Sequence, residues 1–161
     1  MFDESESTYE KRARAGLIPY TRNERGELIY LLMVASDPMF GGPKPMISKG
    51  KIEEGEAPME TALREAQEEL GLLESNIKGD IKLVAEEQVR LRSGTYFLSV
   101  YAVEVISRRD FGMWEDETEY TQWMTLAEFK ENGRKDHYKY LEMIEHNIGF
   151  GRSFMNVTQA A

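Results

Sequence analysis

The chain has 161 residues, 41% of them apolar and 30% charged, with no cysteine and a formal net charge of −9. That length and apolar share suit one domain with a real core, and the lack of cysteine excludes disulfides, thiolate zinc sites and a cysteine nucleophile. The acid excess argues against a general nucleic-acid or membrane-surface binder, which needs a basic face, but not against a phosphorylated substrate, because metal ions can bridge acid to phosphate.

Residues 1–13 are polar, charged and without period, and read as a flexible arm. They contain no apolar stretch of the kind a secretory signal needs, so a cytoplasmic protein is expected. Ala15 to Tyr20 reads as a strand, Asn23 to Gly26 as a turn and Leu28 to Val34 as a buried strand, together a hairpin. The longest apolar run, Leu28 to Ala35, is too short to span a bilayer. Ser36 to Pro45 carries Pro38, Gly41, Gly42, Pro43 and Pro45 and must be a loop. Met46 to Ser48 is a short strand candidate, and Lys49 to Glu56 a second loop.

Ala57 to Leu70 is the clearest helix, with Pro58 in its first turn and Gly71 after its end. Ile81 to Leu91 and Thr95 to Ile106 then read as strands joined at Ser93-Gly94, and Arg108 to Thr118 as an acidic loop. Glu119 to Thr125 is a further strand, followed by helices at Leu126 to Asn132 and Lys135 to Asn147, the second ended by Gly149. Residues 150–161 form a tail, leaving one domain over 14–149. Strands, helix, strands, helix implies an α/β protein with a mixed sheet and helices on both faces.

The first helix carries the chemistry. At about 100° per residue, Met59, Ala62, Leu63, Ala66 and Leu70 share one apolar face, and Glu65, Glu68 and Glu69 a second. Three carboxylates at i, i+3 and i+4 repel one another, so something should offset them. Oxygen-rich clusters of this kind suit Mg²⁺ or Mn²⁺, and a solvated acidic face is the plainer alternative.

The flanking residues decide between these. Gly50, Glu56, Arg64, Glu65, Glu68, Glu69 and Gly71 fall at the spacing G-x5-E-x7-R-E-U-x-E-E-x-G-U, with Ala66 and Leu72 in the two apolar places. This segment resembles the signature of the Nudix hydrolases, with an Ala where that family usually has a larger aliphatic residue. The resemblance implies an α/β/α sandwich and metal-dependent hydrolysis of a nucleoside diphosphate linked to another group. Carried over by position, it implies Glu65, Glu68, Glu69 and the main-chain carbonyl of Gly50 as metal ligands, with Glu68 and Glu69 catalytic, and Glu56 with Arg64 as a bracing ion pair. Mg²⁺ is the expected cofactor, with Mn²⁺ as an alternative. Glu119, four residues before Trp123, resembles an additional ligand of one branch, while Glu115, Asp116 and Glu117 stand just upstream and suit the same work or that of a general base. Glu53 and Glu54 are candidate bases.

Lys49 resembles the basic residue beside the box in polyphosphate-cleaving members, and Lys44, Arg90 and Arg92 are weaker candidates for binding phosphate. Phe40 and Tyr20 are candidate base-stacking rings, whereas Tyr96, Phe97 and Tyr101 read as core. His137 and His146 read as structural or surface groups. The stretch around Lys49 leans toward dinucleoside polyphosphates or the 5′-triphosphate end of RNA. ADP-ribose, a nucleotide sugar or a non-catalytic nucleotide-binding module are the alternatives. A monomer or homodimer with a small nucleotide substrate and no membrane partner is expected. Glu68→Gln is expected to abolish most turnover and to relieve repulsion in the metal-free protein.

Overall fold

The computed structural model describes residues 13–149, apart from 41 and 93. In chain order these are β1 (Ala13–Arg22), β2 (Leu28–Ala35), β3 (Ser48–Lys51), α1 (Pro58–Leu70), β4 (Lys82–Leu91), β5 (Gly94–Glu104), β6 (Thr118–Thr125), α2 (Leu126–Asn132) and α3 (Tyr138–Gly149). Single 3-10 turns lie at Glu74–Asn76 and Lys135–His137. The tail expected over 150–161 lies outside the described residues, as does the arm apart from Ala13. Ala13 belongs to β1, where it pairs with Phe97.

The sheet is mixed, in the order β4-β5-β1-β2-β6. β1 and β5 run parallel, and the other neighbours are antiparallel. The β1–β2 hairpin closes at Asn23, whose Oδ1 accepts from the N–H groups of Arg25 and Glu27, both at 3.0 Å. One flank of β1 is shared: Tyr20 to Arg22 pair with β2, while Arg14 to Leu17 pair with β3. Lys49 to Lys51 are therefore strand, not the loop their composition suggests. Polar residues here are ordered by main-chain pairing with β1, which side-chain patterning does not report.

Alternation along the strands sorts the core onto two faces. Ile18, Tyr20, Tyr30 and Leu32 pack with Phe129, Leu141 and Ile144 of the C-terminal helices. Ala15, Leu17, Leu31 and Met33 pack against Ala62, Ala66 and Leu70 of α1. Ala62 and Ala66 are fully buried. Two small residues at the contact let α1 lie close to the sheet, and this sets its neighbouring carboxylate face beside β3. Gly71 ends α1 in the left-handed region at φ 71°, with its N–H bonded back to the Ala66 carbonyl.

The last helical region is broken. Lys135–His137 form a 3-10 turn before α3, and α3 runs through Gly149. His137 is 2% exposed. Its Nδ1 accepts the Ile47 N–H at 3.2 Å, so the proton of the neutral ring sits on Nε2, which has no hydrogen-bond partner among the described residues. Burial, with repulsion from Arg134, pushes its pKa well below the ordinary 6.5.

Below 6.5 the unfolded imidazole takes up a proton that the folded one refuses, so the stabilisation is complete above 6.5 and declines as pH falls. The slope approaches roughly 1.4 kcal/mol per pH unit. Glu65 and Glu69, whose carboxyls burial raises, act with the opposite sign. The readout is therefore a difference between proteins. Denaturant unfolding of wild type and His137→Gln at pH 7 and pH 5 should show the gap between them shrinking by about 2 kcal/mol. Parallel losses in the two proteins would contradict it.

Candidate functional site

Gly50 faces α1. A Cβ built on it would stand 2.1 Å from both Cδ and Oε1 of Glu65, so the glutamate carboxylate fills the space that any other residue would occupy. Glu65 and Glu69 are only 9% and 7% exposed. Glu69 Oε1 accepts from Ser48 Oγ at 2.8 Å and from the Lys49 N–H at 3.0 Å. Burial pushes the Glu69 carboxyl up to about 8 against the pull of these two donors, and raises Glu65 as well. Two carboxyls are thus held in a site that penalises their charge.

Arg64 is the offset that the helix pattern demands. Its Nε and Nη2 grip both oxygens of Glu56, at 2.8 and 3.1 Å. Glu56 also accepts from Thr61 Oγ1 and the Glu53 N–H, and the Arg64 guanidinium foremost holds its carboxyl down to about 2. Arg64 Nη1 meanwhile reaches Glu65 Oε1 at 3.1 Å and Glu68 Oε1 at 3.3 Å. The expected bracing pair is present, but the same guanidinium also stands between two of the expected ligands. Among the described residues no three Asp, Glu or His side chains converge as they do around an ion. Glu68 turns to Arg64 and does not line the cavity. Replacing Glu68 therefore removes an Arg64 contact as well as a repulsive charge, so the simple relief of repulsion expected from the helix alone does not follow.

The carboxyl end of α1 fixes the opposite wall. The main-chain carbonyls of Glu68, Glu69 and Gly71 accept from the Glu115 N–H, Thr118 Oγ1 and the Gly112 N–H, at 2.8, 2.9 and 2.7 Å. The loop after β2 adds Ser36, which bonds the Asp116 and Glu117 carbonyls. These ties bring Asp116 and Glu117 into the cavity with Glu65 and Glu69. Glu117 contributes to raising both Glu65 and Glu69. Glu119 is exposed on β6 and does not line the cavity. The ladder between β2 and β6 shifts register between Val34 and Ala35, and Glu119 falls between the paired positions Thr118 and Tyr120.

The donor type at this end, carboxylate oxygen, is the one a hard divalent cation takes, although the described side chains are not drawn together around one point. Four acids line this end, two of them buried, and the missing Gly50 side chain leaves room against Glu65. Glu53 is exposed and meets Arg64 at 3.7 Å, and Glu54 is also exposed. Neither lines the cavity.

The cavity has a volume of about 960 Å³. Of the expected phosphate-binding cations only Lys49 lines it; Lys44, Arg90 and Arg92 are exposed elsewhere. Burial, with repulsion from Arg134 and Arg14, pushes the Lys49 ammonium down to about 8. Phe40 lines the cavity and is 73% exposed, whereas Tyr20 is buried in the core. Sequence reading missed Arg14 and Arg134 and assigned Tyr96 to the core alone. All three line this cavity from separate elements, and nothing in their local sequence signals it.

A family profile for the NUDIX domain matches residues 10–144. Comparison with curated protein sequences returns no match. Among solved structures, an Ap4A hydrolase from C. elegans in a binary complex is similar at 18% identity, over 85% of this chain and 97% of that one, with a TM-score of 0.70. The NUDIX domain of Shewanella oneidensis NrtR, complexed with ADP ribose, is similar at 17% identity over 91% and 99%, with a TM-score of 0.72. The M. smegmatis Nudix hydrolase RenU is similar at 14% over 89% and 90%, with a TM-score of 0.67. At these identities the likeness is one of fold.

Proposed function

This chain belongs to the Nudix hydrolase family, enzymes that hydrolyse phosphorus anhydrides and generally use divalent metal ions, and from that premise we propose that it cleaves a nucleoside diphosphate linked to a further phosphorylated group. Dinucleoside polyphosphates and the 5′-triphosphate ends of RNA are the foremost substrates in this reading. The observation that carries it is the buried pair Glu65 and Glu69 set against the bare backbone of Gly50. Asp116 and Glu117 add a second acidic wall, and a cation bound at Glu65 and Glu69 relieves the repulsion between the two.

In this reading Glu65, Glu69 and the Gly50 carbonyl hold Mg²⁺, with Mn²⁺ as a substitute, and Glu68 joins them on leaving its contact with Arg64. When bound, the cation polarises phosphate oxygens and lowers the pKa of the attacking water. Arg64 keeps the loop at Glu56 braced to α1, so the carboxylates stay aligned. Ser48 and the Lys49 N–H orient Glu69 through hydrogen bonds that favour its charged form. Glu117 is the better-placed acceptor for the water's proton than Glu119 or Glu53, since it alone of the three lines the cavity. The Lys49 ammonium favours an anionic substrate beside the site.

Among the described residues no helix is long and apolar enough to cross a membrane. The cysteine-free, acidic composition supports the cytoplasm as the working compartment.

A second reading, ADP-ribose or a nucleotide sugar, is favoured by Phe40, an exposed ring in the long loop at the cavity. One panel separates the two. With Mg²⁺ present, diadenosine polyphosphates, triphosphorylated RNA, nucleoside triphosphates and ADP-ribose are supplied, and products are resolved by chromatography. Faster cleavage of a substrate with three or more phosphates supports the first reading. Preference for ADP-ribose replaces it with the second. No turnover with Mg²⁺ or Mn²⁺ contradicts both.

A further inference from the structure

We infer that the open edge of β4 is a self-association surface, on which a second copy of this chain lays its own β4 antiparallel, centred on Gln88. This goes beyond the hydrolase reading and holds whether or not that reading does.

The sheet ends at β4 on one side and at β6 on the other, and among the described residues β4 pairs with β5 alone. An open edge presents unpaired N–H and C=O groups, and folds usually blunt it with a short strand, a proline or a bulge. β4 is 10 residues long and has no proline. Its one register shift, between Leu83 and Ala85, leaves Ala85 to Leu91 in regular pairing with β5.

Facing residues of an antiparallel pair alternately exchange both main-chain bonds or neither. Leu91 and Gly94 face each other across a two-residue connection, so they form the bonded closing pair of the hairpin. Counting back by twos, Val89, Glu87 and Ala85 direct their main-chain groups to β5. Arg90, Gln88 and Glu86 direct theirs to the open edge. The side chains of these same three share one face and are exposed.

Charge decides the occupant. Glu87 pairs with Lys139, whereas neither Glu86 nor Arg90 has an ion-pair partner among the described residues. When a second β4 is turned antiparallel about Gln88, that residue meets its own copy. Glu86 then meets Arg90 of the second copy, and Arg90 meets Glu86 of the second copy. All of these positions carry their main-chain groups at the edge, so one register satisfies both the backbone and the charges. Registers centred on Glu86, Glu87 or Arg90 would set that charge against its own copy. On the other face Leu91, 49% exposed, comes to lie across from Ala85 of the second copy. The β6 edge offers no such match, because Glu119 is its one charged side chain.

Sedimentation velocity of the full chain reads the association state. Wild type should pass from monomer to dimer between about 1 and 100 μM. Glu86→Arg and Arg90→Glu should each weaken the dimer by about tenfold or more, since each sets like charges face to face. Mixing these two variants should restore it, because each chain then meets the other with opposite charge at both positions. Gln88→Pro removes an N–H that β5 does not use, so that variant should stay folded by circular dichroism and remain monomeric. If it unfolds, the mixing experiment decides alone. A wild type that stays monomeric across that range overturns the proposal and leaves the edge to a strand of another protein. A dimer that survives both charge reversals lies on another surface, and weakening without rescue on mixing reports net charge alone. Either result overturns the proposal as well.

Discussion

Glu69→Gln should leave the protein folded and lower turnover by a factor of about 10²–10³, the worth of a few kcal/mol of transition-state stabilisation. The fold tolerates the change because the amide has nearly the same volume, and its oxygen can accept the same bonds from Ser48 Oγ and the Lys49 N–H. Burial already pushes the Glu69 carboxyl up to about 8, so near neutral pH the metal-free protein loses little on exchanging a largely neutral acid for a neutral amide. What is lost is the ability to become an anion when a cation arrives. Thermal unfolding in EDTA should be unchanged or shifted slightly upward, while the rate at saturating Mg²⁺ collapses. A large fall in melting temperature would make Glu69 a structural residue, and near-normal turnover would remove it from the site.

Gly50→Ala should be nearly as costly to activity by a different route. The new methyl group falls 2.1 Å from the Glu65 carboxylate, and main-chain pairing with Ala15 keeps Gly50 from moving away. Glu65 must yield instead. It cannot simply turn aside, since it is buried and bonded to Arg64. The Mg²⁺ concentration needed for half-maximal rate should rise by about 10- to 100-fold, as when the support of a metal ligand is disturbed. An unchanged Mg²⁺ dependence would show that Glu65 need not hold its position against Gly50.

The parts of the site written in one continuous stretch were legible beforehand. Helix geometry alone put Glu65, Glu68 and Glu69 on one face, and the spacing of Gly50, Glu56 and Arg64 around them identified the motif. The Glu56–Arg64 pair followed from it and is present. Residues placed by tertiary pairing were legible only as one of several candidates, or not at all. Glu117, one of three neighbouring acids that the sequence offers, enters the cavity because Ser36 and the end of α1 hold its loop, whereas Glu119, which matched a spacing pattern, lies at a register shift and does not line the cavity. Arg14 and Arg134 are remote in sequence and meet only because β1 borders β3 and the turn after α2 reaches Pro45. The double role of Arg64 was hidden for a similar reason: the pattern shows a cation four residues before Glu68, but not that one guanidinium serves Glu56, Glu65 and Glu68 together.

The central claim is that the buried α1 carboxylates beside Gly50 hold the divalent cation on which hydrolysis depends. Titration of Mn²⁺ into wild type and Glu69→Gln, followed by electron paramagnetic resonance of the free ion, tests it most directly. Wild type should remove Mn²⁺ from solution at a saturable site, and Glu69→Gln should bind it at least about tenfold more weakly. Equal binding by the two proteins would mean that the cation is held elsewhere and would contradict the account.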